Sequence, residues 1–209
     1  MRAIVDIMRL CPVIPVLVID RIEDAAPLAR ALSDGGLKVL EVTLRTPAGL
    51  AAIAAMKAAA PEAVVGAGTV NSADLLHQAA DAGAEFSVAP GLTESLAKTA
   101  KARSLPFLPG VATAGDILRG LELGLGAFKF FPAETSGGVP ALKALEGPFS
   151  GLDICPTGGV TLANAPSYLA LPSVRCVGGS WITPKSLIAA QDFAAVTRLA
   201  AEAAALTRS

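Results

Sequence analysis

Eight short apolar runs recur along this chain, and each is followed by a stretch with helical spacing. The runs cover residues 13–19, 38–44, 63–68, 85–89, 106–109, 127–131, 153–156 and 174–178. They return roughly every 20–25 residues, the length of one strand–helix unit. Between them, residues 47–60, 72–82 and 93–103 carry apolar residues on one helical face and charges on the other. Thr46-Pro47 offers a hydroxyl ahead of a proline at a first helical position, and Gly35-Gly36 and Gly83 stand where helices close.

Eight such units in succession predict a closed (β/α)8 TIM barrel with its site at the C-terminal ends of the strands. A doubly wound open sheet is the alternative, but no GxGxxG follows the first run. Residues 2–10 read as an extra N-terminal helix across the barrel bottom, and residues 186–209 as one long Ala-rich helix. No linker divides the chain, so residues 1–209 form a single barrel domain of a size that buries a substantial core.

Charge and ligand types narrow the function. Lys and Arg number 17 against 18 Asp and Glu, a net charge of −1, so neither nucleic acid nor an anionic membrane is an expected partner. No apolar run reaches the roughly 18 residues of a membrane span. The opening residues, with Arg2, Asp6 and Arg9, do not read as a secretory leader. Cys11, Cys155 and Cys176 are widely spaced and read as reduced thiols of a cytoplasmic protein. The single histidine, His77, reads as structural or surface, so no metal site is expected, and no cofactor either.

Three strand ends hold ionisable or glycine-rich groups. Lys129 lies among Phe128, Phe130 and Phe131, and strand alternation puts it on the face opposite Phe128 and Phe130. If those rings pack against helices, Lys129 points inward, where desolvation favours the neutral amine that attacks a ketone to form an imine. A lysine reaching for the barrel mouth, or a structural bridge to Glu41, is the plainer alternative. Glu41 and Arg45 share a face of the second run: a carboxylate at depth that can shuttle protons, and a guanidinium at the rim that can grip a carboxylate or simply be solvated. Thr157-Gly158-Gly159 and Gly178-Gly179-Ser180 follow the seventh and eighth runs, where such barrels cradle phosphate, although tight turns also use paired glycines.

Taken together, these stretches resemble the 2-keto-3-deoxy-6-phosphogluconate / 4-hydroxy-2-oxoglutarate aldolase family. The matching segments are 12–18 (PVIPVLV), 40–46 (LEVTLRT), 66–70 (GAGTV), 90–93 (PGLT), 107–113 (FLPGVAT), 128–134 (FKFFPAE), 156–159 (PTGG) and 178–181 (GGSW). The resemblance implies a class I, Schiff-base aldolase releasing pyruvate and glyceraldehyde 3-phosphate, a homotrimer that needs no metal. It implies Lys129 as the imine-forming lysine and Glu41 as the acid/base. Arg45 and Thr69 would hold the keto-acid carboxylate, Pro90 and Phe131 would shape the pocket, and Thr157 would meet a substrate hydroxyl. Gly158, Gly159, Gly179 and Ser180 would bind phosphate. A non-covalent phosphate-binding isomerase or synthase, or a sugar-phosphate binding protein, are the rival readings. Preference between phosphorylated and unphosphorylated substrates, the C4 stereochemistry and the placing of Trp181, in pocket or core, are not legible from the chain.

Overall fold

The short β-branched runs become strands that pair only in parallel. In a computed structural model, residues 2–208 are described. Nine strands lie among them: β1 (Val13–Leu17), β2 (Val39–Thr43), β3 (Val64–Gly68), β4 (Ser87–Val88), β5 (Phe107–Leu108), β6 (Gly110–Val111), β7 (Ala127–Phe130), β8 (Asp153–Pro156) and β9 (Val177–Gly179). The helices are α1 (Ile4–Met8), α2 (Ala25–Asp34), α3 (Gly49–Ala59), α4 (Ala73–Asp81), α5 (Glu94–Ala102), α6 (Ala114–Glu122), α7 (Gly138–Glu146), α8 (Ala165–Leu169), α9 (Lys185–Ala189) and α10 (Phe193–Ala204). β1, β2 and β3 are buried at every position, as a parallel sheet covered by helices requires.

The result is an α/β fold with a curled parallel sheet. Six strands pair in the order β5-β4-β3-β2-β1-β9, and three more in the order β6-β7-β8. Pro109, between β5 and β6, has no N–H to continue a ladder, but its carbonyl accepts the Lys129 N–H at 2.8 Å. At the other junction, single parallel bridges join Ile154 to Val174 and Thr157 to Gly178. An unbroken ladder of hydrogen bonds round eight strands, as the sequence predicts, is therefore not present.

Helix ends follow local chemistry, with two corrections. Ser72, Thr93 and Thr113 cap α4, α5 and α6, each accepting a backbone N–H at 3.2 Å. Thr46 does not cap α3, which begins at Gly49 after Ala48; its hydroxyl instead donates to the Ile19 carbonyl and ties the end of β2 to β1. The long C-terminal helix is two helices. Gln191 takes a φ of +53°, and the Asp192 carboxylate restarts the chain as α10 by accepting the Ala195 N–H at 2.9 Å. Ser209 lies outside the described residues. Against α2, α10 approaches closely: a methyl at Gly35 would stand 2.4 Å from the Ala200 Cβ.

The N-terminal helix is shorter than expected and lies where expected. Ile7 borders a hollow of about 640 Å³ together with Ala63, Val64 and Pro106, which sit at the N-terminal ends of β3 and β5. No helix among the described residues is long and apolar enough to cross a membrane.

All three cysteines are free and buried. Desolvation pushes the Cys11 thiol up to about 11 and raises Cys176 well above the ordinary thiol range. Both therefore stay protonated when an unfolded thiol has begun to ionise. Intact-mass measurement at about pH 8 with iodoacetamide should find the native protein slow to label, and three adducts in denaturant. Fast native labelling of Cys11 would show that the packing around β1 opens.

Candidate active site

Alternation along β7 sends its aromatic residues outward and its lysine inward. Phe128 packs on α6, where a methyl at Gly120 would stand 2.3 Å from its ring. Phe130 borders an apolar hollow with Ile117 of α6 and Leu142 of α7. Lys129 takes the opposite side and is only 4% exposed. Its Nζ donates to Oε1 of Glu41 at 3.3 Å, and Glu41 is 3% exposed. The ammonium also lies 5.1 Å from the centroid of the Phe131 ring, within cation–π range.

Glu41 reaches this depth because Gly68 has no side chain. A methyl at Gly68 would stand 2.2 Å from Glu41 Oε1 and 2.7 Å from its Cγ. Two charges are thus held out of water, each with the other as partner, an arrangement in which removing one partner is far costlier than the pair is stabilising.

At the rim above the pair, the Arg45 Nε donates to Thr69 Oγ1 at 3.1 Å. Thr69 has a φ of +60°. A β-branched residue in the left-handed region carries strain of about 1–3 kcal/mol, and such strain concentrates at functional positions. Pro90 is exposed at the end of β4. Its carbonyl lies so close to Gly110, the register partner of Lys129, that a methyl there would stand 2.2 Å from it.

The glycine-rich loops are fixed from behind. Thr157 is buried against Gly178, where a methyl would fall 2.2 Å from the Thr157 hydroxyl. Gly158 and Gly159 have φ of +100° and +79°, a region that favours glycine. The Glu134 N–H donates to the Gly158 carbonyl at 3.0 Å, and the Asn164 side-chain amide to the Gly159 carbonyl at 3.2 Å. Both carbonyls are thus engaged. Glu134 packs on Gly159, where a methyl would stand 2.6 Å from its Cγ, and its carboxylate accepts the hydroxyl of the fully buried Tyr168. Burial, then the Glu134 carboxylate, push the Tyr168 hydroxyl well above its usual range, so it remains a donor.

A cavity of about 670 Å³ opens at the C-terminal ends of β1, β2 and β9, lined among others by Val18, Arg45, Ser180, Thr183 and Lys185. Its volume suits a small metabolite. Arg45 and Ser180 thus share one hollow, beside the loop that carries Gly179. Gly179 itself meets the Trp181 ring, from which a methyl would stand 1.9 Å, so Trp181 accounts for the glycine there without a ligand. Trp181 is half-buried against the core, and His77 is exposed on α4.

An amine and a carboxylate facing each other in an apolar interior, beneath a guanidinium, a strained threonine and a glycine-rich loop, suit imine chemistry on a keto acid. Comparison with known proteins points the same way. A family model described as KDPG and KHG aldolase matches residues 4–199. The chain belongs to this aldolase family. The 2-dehydro-3-deoxy-phosphogluconate aldolase of Zymomonas mobilis is 56% identical over 209 residues, covering 100% of this chain and 99% of that protein. Its crystal structure with 3-phosphoglycerate superposes with a TM-score of 0.95. The Escherichia coli KHG/KDPG aldolase is 50% identical over 192 residues, 92% of this chain and 90% of its own. A Legionella pneumophila KDPG aldolase, captured with pyruvate as a covalent carbinolamine, is 42% identical, covers 98% of this chain and 99% of its own, and has a TM-score of 0.95.

Sequence reasoning passed over Gly68, Glu134, Tyr168 and Lys185. For Gly68 there was a signal, since glycine inside a strand marks close approach of another group. Substituting Gly68→Ala overpacks the interior and should destabilise the fold by about 1–3 kcal/mol in urea denaturation while driving Glu41 from Lys129. Wild-type stability in that variant would mean that Glu41 has another place to go.

Proposed function

We propose that the chain catalyses reversible cleavage of 2-keto-3-deoxy-6-phosphogluconate to pyruvate and glyceraldehyde 3-phosphate, with Lys129 as the Schiff-base nucleophile. The observation that carries the reading is the inward-facing Lys129 amine, 3.3 Å from the buried Glu41 carboxylate. The same chemistry would serve 4-hydroxy-2-oxoglutarate, giving pyruvate and glyoxylate.

The steps follow from that geometry. Glu41 takes a proton from the lysine, and the freed amine adds to C2 of the keto acid. Glu41 returns that proton to the hydroxyl of the resulting carbinolamine, which departs as water, leaving Glu41 a carboxylate again and an iminium that draws electrons from the C3–C4 bond. Glu41, directly or through a water, removes the C4 hydroxyl proton; the aldehyde departs and an enamine remains. Protonation at C3 and addition of water then release pyruvate and restore the amine. A positioned carboxylate contributes about 10²–10⁴-fold in such transfers.

Around these two residues, Arg45 and Thr69 would grip the keto-acid carboxylate by their hydrogen-bonded pair at the rim. Pro90 and Phe131 would wall the pocket, and Thr157 would meet a substrate hydroxyl. The backbone of Gly158 and Gly159, with Gly179 and Ser180 across the mouth, would cradle the phosphate. Positioning of this kind can supply several kcal/mol of the barrier reduction. We take the two parallel sheets as arcs of one (β/α)8 barrel, interrupted at Pro109 and between β8 and β9. Assembly as a homotrimer and a cytoplasmic location belong to the same reading and rest on the family resemblance.

A coupled assay of pyruvate release tests it. Lys129→Ala should lose turnover altogether, and Glu41→Gln should lower kcat by about 10²–10⁴-fold. Because Lys129→Ala orphans a buried carboxylate at a cost of about 3–5 kcal/mol, circular dichroism must accompany the assay. Comparable turnover in a folded Lys129→Ala protein would overturn the mechanism.

A further inference from the structure

We infer that Lys185 is the residue that makes this site favour a phosphorylated aldol substrate over an unphosphorylated one, an inference that rests on the aldolase reading above. The cavity at the ends of β1, β2 and β9 holds three cations, Arg21, Arg45 and Lys185, and two carboxylates, Asp20 and Asp24. Arg21 is already committed: its Nε and Nη2 donate to the two oxygens of the buried Asp24 at 3.0 and 2.7 Å. Arg45 is tied to Thr69 at the keto-acid end. Among the described residues, no carboxylate lies within 4.0 Å of the Lys185 ammonium. Lys185 is thus the cation of this hollow that, among the described residues, has neither an ion-pair nor a hydrogen-bond partner, and it is exposed.

Its place in the loop puts it beside the phosphate end. Ser180 and Thr183 line the same cavity, and the Thr183 N–H donates back to the Ser180 carbonyl at 3.4 Å. Trp181 is clamped on Gly179 and Ile182 is fully buried, so the backbone leading to Lys185 is held in register with Ser180. A phosphate ester carries a charge of about −1.5 to −2 near neutral pH. Backbone N–H groups and hydroxyls bring hydrogen bonds to it but no full charge. Lys185 brings that charge on a flexible stem, a point cation suited to phosphate oxygens. A substrate ending in a neutral hydroxyl gains a hydrogen bond from it but no charge–charge attraction.

The experiment is to measure kcat/KM for 2-keto-3-deoxy-6-phosphogluconate and for 2-keto-3-deoxygluconate, and take the ratio, in wild type, Lys185→Gln and Lys185→Arg. The ratio should fall about tenfold in Lys185→Gln, as loss of a partly screened charge contact would give, and stay within about threefold of wild type in Lys185→Arg. The wild-type ratio should also shrink as salt is added, which tests the charge contact even if the glutamine variant fails to fold. An unchanged ratio in an active Lys185→Gln enzyme, or a wild-type ratio indifferent to salt, overturns the inference alone. Failure of the wild type to release pyruvate from either substrate would instead overturn the aldolase reading, and this inference with it.

Discussion

A lysine ammonium and a glutamate carboxylate, both all but excluded from solvent, meet across the interior of a parallel sheet at 3.3 Å. Neither charge is tolerable there alone, since the cost of taking an ion out of water is met only by its partner. The surroundings keep the two together. Phe128 and Phe130 pack outward onto helices, which fixes the face from which Lys129 emerges. Gly68 leaves the space that Glu41 occupies, and the paired strands β2 and β3 set that glycine two positions beyond the register partner of Glu41. On the mechanism proposed above this pair would be the reactive centre, so the contact that satisfies both buried charges is also the one that the chemistry would break.

The rim is built on a different principle. Its groups are not buried charges but backbone and side-chain donors whose orientation is fixed by contacts behind them. Glu134 presses on Gly159 and is itself fastened by Tyr168, while Asn164 takes the Gly159 carbonyl. These contacts engage the carbonyl acceptors of the loop and fix its backbone. Thr69 stores backbone strain beside Arg45, consistent with a position selected for where its hydroxyl points. On the proposed function, a rigid interior and braced loops together would let a six-carbon substrate be gripped at one end while its middle is cleaved.

Much of this was legible in the chain, for reasons that differ by level. Period-two alternation around Lys129 gave its direction, because rings as large as Phe128 and Phe130 have only the helix side to fill. The strand–helix rhythm gave the parallel architecture, and the helical spacing of residues 72–82 and 93–103 marked α4 and α5. What could not be read depended on single contacts made at a distance. Thr46 looked like a cap, yet the neighbouring end of β1 claims its hydroxyl. Residues 186–209 have helical composition throughout, and only Gln191 and the capping Asp192 divide them. Pro109 stops the ladder between β5 and β6, an interruption that a count of apolar runs does not register. Glu134 and Tyr168 lie 34 positions apart, and only the fold brings them together.

On the proposed mechanism, Lys129 becomes covalently joined to the keto acid. Borohydride reduction in the presence of pyruvate, followed by intact mass and peptide mapping, tests it most directly. The expected result is a single reduced pyruvate adduct per chain, located on Lys129. A folded protein that forms no adduct, or carries it on another lysine, would contradict it.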